Sequence, residues 1–470
     1  MKVLLLNPPA ENELIGNNPP IIEEERGYNP PLGLLYLAAY LEKFSSHEVS
    51  VVDSQVEEMS YPQLEATIAT HEPDVVGITA MTFTLIDVIK TARLAKKIDP
   101  AIPVVLGGPH VHLFPNETIA LPEVDYLVLG EGEEAFHHLL ENLGHPEKLA
   151  EIRGLVFRED GHVINTGLRP FRENLDELPF PARHLTPYRK YSSLMAKRQP
   201  ITTMFTSRGC PYKCIFCDRP HLGKLFRARS ASNVADEMEE CIGLGIREFL
   251  IYDDTFTIHR QRVIDICDEI IRRKLDVGWD VRARVNTVDE EMLRKMRKAG
   301  CERIHYGVEA GTDRVLKILR KGITVEEARR AFRLTKEAGI DTLAYFIIGS
   351  PTETLEDISE TMKLARELDP DYVHITIMTP FPGTELYAWG LREGRIPRDV
   401  WREFASDPRP GFQPPYWEES FTREELLELI NRAYKDFYLR PRYVLKRLSR
   451  VRSFGEFLRH ARAGLKVLKL

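Results

Sequence analysis

Three of the six cysteines lie close together, at Cys210, Cys214 and Cys217. A C-x-x-x-C-x-x-C spacing can direct three thiolates at one metal centre, because thiolates are common ligands of iron–sulfur clusters and of structural zinc. Structural zinc sites usually complete such a set with a second cysteine pair or with histidines, and no second pair follows here. Three thiolates on a four-iron cluster leave one iron open to a substrate or cofactor. The spacing therefore predicts an iron–sulfur centre, and the alternative is a zinc site that lacks its fourth ligand.

The other three cysteines are predicted to be inert. Cys241 and Cys267 fall in helical patterns and Cys301 precedes a strand, so we expect buried thiols at these positions. Six cysteines are also too few to cross-link a chain of 470 residues. Their clustering indicates metal binding rather than disulfide formation.

The cysteine spacing, on a loop after a strand, resembles the radical S-adenosylmethionine (SAM) superfamily. Four further segments match the pattern of that superfamily: Tyr252-Asp253-Asp254-Thr255-Phe256, Gly307-Val308-Glu309-Ala310-Gly311, Gly349-Ser350-Pro351 and Thr379-Pro380-Phe381-Pro382-Gly383-Thr384. The resemblance implies that the three cysteines hold a 4Fe–4S cluster with SAM on its open iron. It also implies SAM contacts from Phe216, Asp253, Asp254, Arg284, Glu309, Gly349 and Pro351.

The implied contacts suit the chemistry of these side chains. In the superfamily, the aspartate position binds the amino group of the methionine moiety, and the position of Glu309 binds the ribose hydroxyls. Phe216 and the Gly349-Ser350-Pro351 segment match elements beside the adenine. Either Arg282 or Arg284 is placed to hold the methionine carboxylate. The alternatives are a helix N-cap for the aspartates and a surface ion pair for the arginines.

Six strands separated by amphipathic helices must position these residues. The strands are predicted at 201–206, 248–252, 278–281, 303–307, 343–348 and 372–377. Such a series of strand–helix units predicts a partial or complete parallel barrel, with its chemistry at the carboxyl ends of the strands.

The preceding 145 residues show the same alternation of strands and helices. Short strands are predicted at 3–6, 48–52, 75–79, 104–106 and 126–129, which indicates an open, doubly wound parallel sheet. Such sheets bind ligands beyond the carboxyl ends of their strands. No G-x-G-x-x-G motif follows the first strand, so a nicotinamide site is disfavoured. Small residues follow three strands, in Thr79-Ala80-Met81-Thr82, Gly107-Gly108-Pro109-His110 and Gly130-Glu131-Gly132-Glu133.

A domain of this kind before such a barrel resembles the cobalamin (B12)-dependent radical SAM enzyme family. The D-x-H-x-x-G motif that ligates cobalt in mutase-type proteins is absent: Asp160-Gly161-His162 is followed by Asn165 where the glycine belongs. His110 is therefore expected to pack or to form hydrogen bonds, not to ligate cobalt. The resemblance implies a cobalamin site formed by Thr79, Thr82, Gly107, Gly108, His110, Gly130, Glu131 and Gly132.

The predicted fold class is α/β, with a doubly wound parallel sheet of the cobalamin-binding type, a partial (β/α)6 radical SAM barrel and a helical C-terminal tail. A hairpin is predicted around Asp160-Gly161, and a helix at 421–439. The predicted domains are a cobalamin-binding Rossmann-like domain at 1–145, a proline-rich connector at 146–195, the barrel at 196–400 and a C-terminal extension at 401–470.

The resemblance implies an enzyme that methylates an unactivated carbon of a hydrophobic or natural-product-like substrate through a 5′-deoxyadenosyl radical, with cobalamin as the methyl carrier. The second hypothesis is a radical cyclase or rearranging oxidoreductase, as in the anaerobic magnesium-protoporphyrin monomethyl ester cyclase branch. The third is a non-catalytic cobalamin or metal sensor. Release of S-adenosylhomocysteine would favour methylation, and 5′-deoxyadenosine alone would favour cyclisation.

Charge and composition narrow the partners. A net charge of -7 argues against a general nucleic-acid binder, and the absence of a run of eighteen apolar residues argues against a membrane span. We expect a cytoplasmic enzyme with a small-molecule substrate and an electron donor such as flavodoxin or ferredoxin. Residues 440–470 carry ten Lys or Arg and one acidic residue, Glu456. This tail predicts either contact with an anionic membrane, which would suit a hydrophobic substrate such as a lipid, isoprenoid or tetrapyrrole, or a helix packed on the barrel.

Overall fold

A computed structural model describes residues 1–14, 27–193, 195–218 and 223–448 of the chain. Over these residues the strands form a sheet of seven, a sheet of six and a two-stranded ribbon. The strands are β1 (Lys2–Asn7), β2 (Glu48–Asp53), β3 (Val75–Thr79), β4 (Val104–Gly107), β5 (Tyr126–Val128), β6 (Leu155–Glu159), β7 (His162–Asn165), β8 (Ile201–Met204), β9 (Ser207–Arg208), β10 (Arg227–Ala228), β11 (Glu248–Ile251), β12 (Gly278–Ala283), β13 (Cys301–Glu309), β14 (Asp341–Ile348) and β15 (Tyr372–Ile377).

The helices alternate with these strands and cover both faces of the seven-stranded sheet and the outer face of the six-stranded sheet. Their bounds are Leu32–Phe44, Tyr61–His71, Leu85–Ile98, Pro109–Leu113, Pro115–Ile119, Glu133–Glu141, Pro146–Leu149, Ala231–Gly243, Arg260–Arg272, Glu290–Lys298, Asp313–Ile318, Val325–Glu337, Leu355–Leu368, Glu385–Arg392, Val400–Ser406, Arg423–Tyr438 and Pro441–Leu448.

The first sheet is doubly wound, as predicted. Strands β1 to β5 run parallel in the order β2-β1-β3-β4-β5. Successive residues of β1 bury alternately on opposite faces: Leu4 and Leu6 lie in one hydrophobic core, and Val3 and Leu5 lie in the other. A strand covered by helices on both sides needs apolar residues at every position, which explains the unbroken apolar run.

A hairpin extends this sheet beyond residue 145. Strand β6 pairs antiparallel with β5, and β7 pairs antiparallel with β6. The predicted turn is present, with Asp160 at φ 49° and Gly161 at φ 79°, the left-handed pair that a tight two-residue hairpin needs. Because Leu155 and Phe157 are buried in one of the two cores, residues assigned to the connector are part of the first sheet.

The second sheet is an open half-barrel. Its strands run parallel in the order β8-β11-β12-β13-β14-β15. Within the described chain β8 and β15 do not pair, so the barrel stays open between its first and last strands. The prediction of a partial barrel is therefore confirmed.

The helix Arg423–Tyr438 covers the free edge of β15. The Tyr434 hydroxyl lies 2.9 Å from both the amide nitrogen and the carbonyl oxygen of Ile375. The Tyr438 hydroxyl is placed in the same way, 3.0 Å from the amide nitrogen and 2.9 Å from the carbonyl oxygen of Val373. Each hydroxyl both donates and accepts, so two tyrosines satisfy backbone groups that a further strand would otherwise pair.

The helix predicted at 421–439 is this element, and Pro441–Leu448 begins the basic tail. Residues 449–470, on which most of the tail prediction rests, lie outside the described residues. No helix in the described part of the chain combines the length and the apolar character needed to cross a membrane.

A buried ion cluster fastens the connector to the barrel. Glu237, on the helix Ala231–Gly243, is fully buried and pairs with Arg183 from the connector at 2.5 Å and with Arg229. Arg183 also donates from Nε to Thr202 Oγ1 in β8, at 2.9 Å. Burial alone would raise the pKa of Glu237, but the two guanidinium groups outweigh it and lower the pKa, so the carboxylate stays charged.

We predict that Glu237→Gln lowers the free energy of unfolding by about 3–5 kcal/mol, because two buried arginines lose their shared counter-charge. Urea unfolding measures the change. Glu239→Gln is the matched control: its half-exposed carboxylate pairs with Arg273 at 2.7 Å, and its loss should cost under about 1 kcal/mol. Equal unfolding midpoints for the two variants would contradict this account.

Candidate active site

The cysteine loop, residues 209–226, follows the ribbon strand β9 at the carboxyl end of β8. Strands β9 and β10 pair antiparallel and close its base. Gly209 has φ 86°, and a Cβ there would lie 2.2 Å from the Leu225 carbonyl oxygen. Cys210, Cys214 and Cys217 are partly exposed on this loop, whereas Cys241, Cys267 and Cys301 are buried, as predicted.

Arg284 ties the cysteine loop to the segment after β13. Its Nη1 lies 3.9 Å from Cys214 Sγ, and its guanidinium lies 3.7 Å above the Tyr212 ring. Its Nη2 donates to the carbonyl oxygens of Lys321 and of Gly322, the latter at 3.3 Å. Arg284 therefore places a positive charge beside the Cys214 sulfur and fixes the position of the loop. Because the guanidinium already bonds main-chain oxygens, the predicted contact of Arg284 with SAM stays a prediction.

In the described ranges no group of three or more Cys, His, Asp or Glu side chains could hold a single metal ion. The assignment of Cys210, Cys214 and Cys217 to an iron–sulfur cluster rather than to zinc therefore stays a prediction from their spacing and from the family resemblance.

Glu309 and Lys321 form a buried ion pair beside the cysteine loop. Glu309 ends β13 in a left-handed conformation, at φ 69°, and its Oε1 lies 2.5 Å from Lys321 Nζ. A Cβ at Gly307 would meet both groups, which explains the glycine. The same ammonium lies 5.9 Å from the centre of the Phe216 ring. Lys321 thus brings Phe216 and Glu309 together, although no sequence motif marks this lysine.

The two aspartates after β11 have different environments. Asp253 is fully buried and accepts four hydrogen bonds, from the backbone amides and hydroxyls of Thr206 and Ser207, at 2.5–2.9 Å. Both of its oxygens therefore hold the junction between β8 and the cysteine loop. Asp254 is partly exposed, so it is the better candidate of the two for an amino group of SAM.

The Gly349-Ser350-Pro351 segment packs beneath the helix Arg423–Tyr438. Gly349 has φ 77°, and a Cβ there would lie 2.8 Å from Leu426 Cδ2. Glu353 is buried below the segment and accepts a hydrogen bond from the Ser350 amide at 2.8 Å. Burial raises the pKa of Glu353 to about 7.

The predicted cobalamin residues lie at the carboxyl edge of the first sheet. Thr79 and Gly107 end neighbouring strands and pair with each other. Gly108 has φ 107°, and a Cβ there would lie 2.8 Å from the Ala80 carbonyl oxygen, so this glycine serves the close contact of two loops. Gly130 and Gly132 follow β5, and a Cβ at Gly130 would meet only Leu168, at 3.8 Å.

His110 is a buried, neutral imidazole at this edge. Its Nδ1 lies 3.0 Å from Thr82 Oγ1, and burial lowers its pKa to about 3. Its Nε2 has no hydrogen-bond partner among the described residues. An unpartnered imidazole nitrogen of this kind can bind a polar group or a metal, so the expectation that His110 does not ligate cobalt stays a prediction.

The carboxyl edges of the two sheets face each other. Phe83, after β3, and Phe381, after β15, lie 5.5 Å apart between ring centres. Gly383 lies between the two domains, since a Cβ there would be 2.6 Å from Leu113 Cδ2 and 3.1 Å from Asp218 Oδ2. Asp218 directly follows Cys217, so the loops after β3 and β4 approach the cysteine loop.

Glu131 joins the first domain to the base of the cysteine loop. Its Oε1 lies 2.9 Å from Arg208 Nη1 and 2.8 Å from Arg227 Nη1, in β9 and β10. Glu133 adds a second contact to Arg208, at 2.6 Å. The Glu131 carboxylate, predicted to bind cobalamin, is therefore directed toward the barrel. We call the set Glu131, Glu133, Arg208 and Arg227 the interdomain clasp.

Comparison with known proteins matches both halves of this site. The model of the B12 binding domain matches residues 20–140, and that of the Radical SAM superfamily matches residues 204–365. An uncharacterised methyltransferase from Pyrococcus horikoshii is 36% identical over 95% of this chain and 94% of its own length. The chain belongs to the cobalamin-dependent radical SAM family.

A further relative and a solved structure are also similar to this chain. An anaerobic magnesium-protoporphyrin IX monomethyl ester cyclase from Rubrivivax gelatinosus is 32% identical over 94% of this chain and 78% of its own length. The radical SAM methyltransferase TsrM from Kitasatospora setae, solved with cobalamin and a 4Fe–4S cluster, shares the fold with a TM-score of 0.72 at 20% identity, covering 94% of this chain and 90% of its own. The expected fold class and the cofactors of the family, a 4Fe–4S cluster, SAM and cobalamin, are thereby confirmed.

We predict that Glu131→Gln loosens the clasp and destabilises the cysteine loop, because Arg208 and Arg227 lose a shared, nearly buried counter-charge, at a cost of about 3 kcal/mol. Iron and sulfide retained per chain after anaerobic reconstitution and desalting should fall below those of the unchanged protein. Glu141→Gln is the control, since that half-exposed carboxylate pairs only with His47 among the described contacts. Equal iron retention in all three proteins would disprove the role of the clasp.

A second prediction concerns pH. Because the pKa of Glu353 is higher in the folded than in the unfolded chain, protonation of this carboxyl group stabilises the fold. That stabilisation is complete at a pH below the pKa in the unfolded chain, and it is lost as the pH rises through about 7. Glu353→Gln should therefore gain stability relative to the unchanged protein between pH 5 and pH 8, by about 2–3 kcal/mol. Thermal unfolding across that range measures the gain, and a constant difference between the two proteins would refute it.

Proposed function

We propose that this enzyme methylates an unactivated carbon of a small molecule. The observation that carries the proposal is the arrangement of two opposed edges: the partly exposed cysteines at one, and the loops with the buried, neutral His110 at the other. A methyl carrier at the first sheet and a radical generator at the barrel would then face the same space. Similarity to a methyltransferase over nearly the full chain supports the same reaction.

The residues on the two edges fit the three cofactors. We assign the cluster to Cys210, Cys214 and Cys217, and SAM to the surroundings of Phe216, Asp254 and the Gly349-Ser350-Pro351 segment, with Glu309 and Lys321 at the ribose. Cobalamin is assigned to the loops that contain Thr79, Thr82, Gly107, Gly108, His110, Gly130 and Gly132. When bound, these groups supply electron transfer to SAM, a carbon-centred radical and a transferable methyl group.

The protein itself orients the cysteine loop and shields the space between the two domains from water. Arg284 holds the cysteine loop and provides positive charge beside Cys214. Phe83, Phe381 and Trp401 form an aromatic group between the domains, with ring centres 5.5–6.5 Å apart. Such a group excludes water from the side of the shared space, where a radical needs protection.

The cyclase hypothesis is the second candidate. It is favoured by the similarity to the Rubrivivax gelatinosus cyclase over 94% of this chain. Anaerobic reconstitution with dithionite, SAM and hydroxocobalamin, followed by mass spectrometry of the nucleosides, separates the two. Formation of S-adenosylhomocysteine together with 5′-deoxyadenosine supports methylation, and 5′-deoxyadenosine alone supports cyclisation. The absence of both products supports a sensor.

An external one-electron donor such as flavodoxin or ferredoxin is part of this proposal. Contact with a membrane, and with it a lipid-like substrate, depended on residues 440–470, of which 449–470 lie outside the described residues. We therefore infer the substrate class from the side chains inside the half-barrel.

We predict that Cys214→Ala abolishes 5′-deoxyadenosine formation, because a cluster with two protein ligands is not held in place. Cys241→Ala should retain iron and SAM cleavage. That thiol is buried in the core, where burial raises its pKa to about 12, so it is not a ligand. Normal cleavage by the Cys214 variant would show that the cluster is bound elsewhere.

A further inference from the structure

The strands of the half-barrel have two unlike faces. The outer face is apolar and buried beneath the helices, as at Ile304, Tyr306, Phe346 and Ile375. The inner face carries a row of polar and aromatic side chains that remain partly exposed. We call this row the inner wall: Tyr252, Arg282, His305, Tyr345 and His374.

The inner wall is continuous across five neighbouring strands. The Arg282 guanidinium lies 4.2 Å from the centre of the Tyr252 ring. His305 Nδ1 lies 3.1 Å from the Tyr345 hydroxyl, and the Tyr345 and His374 rings meet edge to face at 5.5 Å. A closed parallel barrel fills its interior with branched apolar residues. Polar groups here need a polar partner inside the half-barrel.

Charge along the inner face is not balanced. Asp280 pairs with Arg303 at 3.3 Å and with His305 at 3.4 Å, so its carboxylate already has two partners. Arg282 forms no ion pair with any carboxylate in the part of the chain that the structure describes. An anion that binds beside this guanidinium would form the ion pair that the described residues do not supply.

The inner wall lies directly below the proposed SAM site. Tyr345 pairs across the sheet with Gly307, two residues before Glu309. Burial raises the pKa of the Tyr345 phenol, so this hydroxyl stays neutral. A molecule on the inner wall would therefore lie next to the nucleoside from which the radical arises.

We propose that the inner wall binds the substrate of the proposed reaction, a planar conjugated or aromatic molecule with a carboxylate or phosphate held by Arg282. Tyr252 and His374 offer ring faces to its plane, and the Arg282 guanidinium offers several N–H donors to its anionic group. This inference rests on the proposed function. It replaces the hydrophobic substrate expected from the sequence with an anionic, planar one.

The test uses the full-length holoenzyme, reconstituted anaerobically with cluster, cobalamin and S-adenosylhomocysteine. Equilibrium dialysis compares a panel of aromatic carboxylic acids with their carboxamides, and phenyl phosphate with phenol. The acids or the phosphate should bind more tightly than their neutral partners, and Arg282→Gln should remove about tenfold of that preference. Arg294→Gln is the matched control, because that exposed arginine lies on the outer helix Glu290–Lys298 and pairs with Glu290.

Three results would overturn the inference. Acids and amides that bind equally, or neither binding, would exclude an anionic substrate on the inner wall. A preference that survives Arg282→Gln would place the anion elsewhere. Loss of SAM affinity in Arg282→Gln without any acid preference would assign this arginine to the methionine carboxylate.

A second variant separates structure from recognition. Tyr345→Phe keeps the ring and removes the hydroxyl that lies 3.1 Å from His305 Nδ1, so it should weaken the acids and their amides alike and leave iron and cobalamin content unchanged. Formation of 5′-deoxyadenosine is measured separately with the unchanged enzyme. If no 5′-deoxyadenosine forms, the proposed function is wrong. If it forms but the acids bind no more tightly than their amides, only this inference is wrong.

Discussion

The Glu131 carboxylate, shared between Arg208 and Arg227, is the contact on which the arrangement of the site depends. Each parallel sheet presents the carboxyl ends of its strands at one edge, and each edge forms only one side of the site. The clasp fixes the edge of the first sheet against the two strands at the base of the cysteine loop. Its charges are nearly buried, so they are weakly screened by solvent and define one orientation of the domains.

Much of the architecture could be predicted from the sequence because it follows from local patterns. Apolar runs and their spacing located strands such as Val75–Thr79 and Tyr372–Ile377 at their observed bounds, and the cysteine spacing indicated the cluster loop. The sequence also predicted the hairpin around Asp160-Gly161, but not the strand with which it pairs. Its antiparallel pairing with β5 depends on burial of Leu155 and Phe157 in a core that only the folded sheet creates.

The details of the site were less accessible because they depend on contacts distant in sequence. Glu131 was selected for its place after a strand, yet its partners lie 77 and 96 residues away. Asp253 and Asp254 are adjacent in sequence, and only burial separates a structural carboxylate from a candidate ligand. Lys321 carries no motif of its own. Its role follows from Glu309, which points to it from the end of β13.

The tyrosines that cover β15 also bear on how copies of this protein can associate. An unpaired parallel edge is a template for intermolecular sheet growth, the first step of strand exchange and aggregation. Tyr434 and Tyr438 occupy the amide and carbonyl groups that an incoming chain would need. Association along this edge is thereby blocked, although the half-barrel remains open.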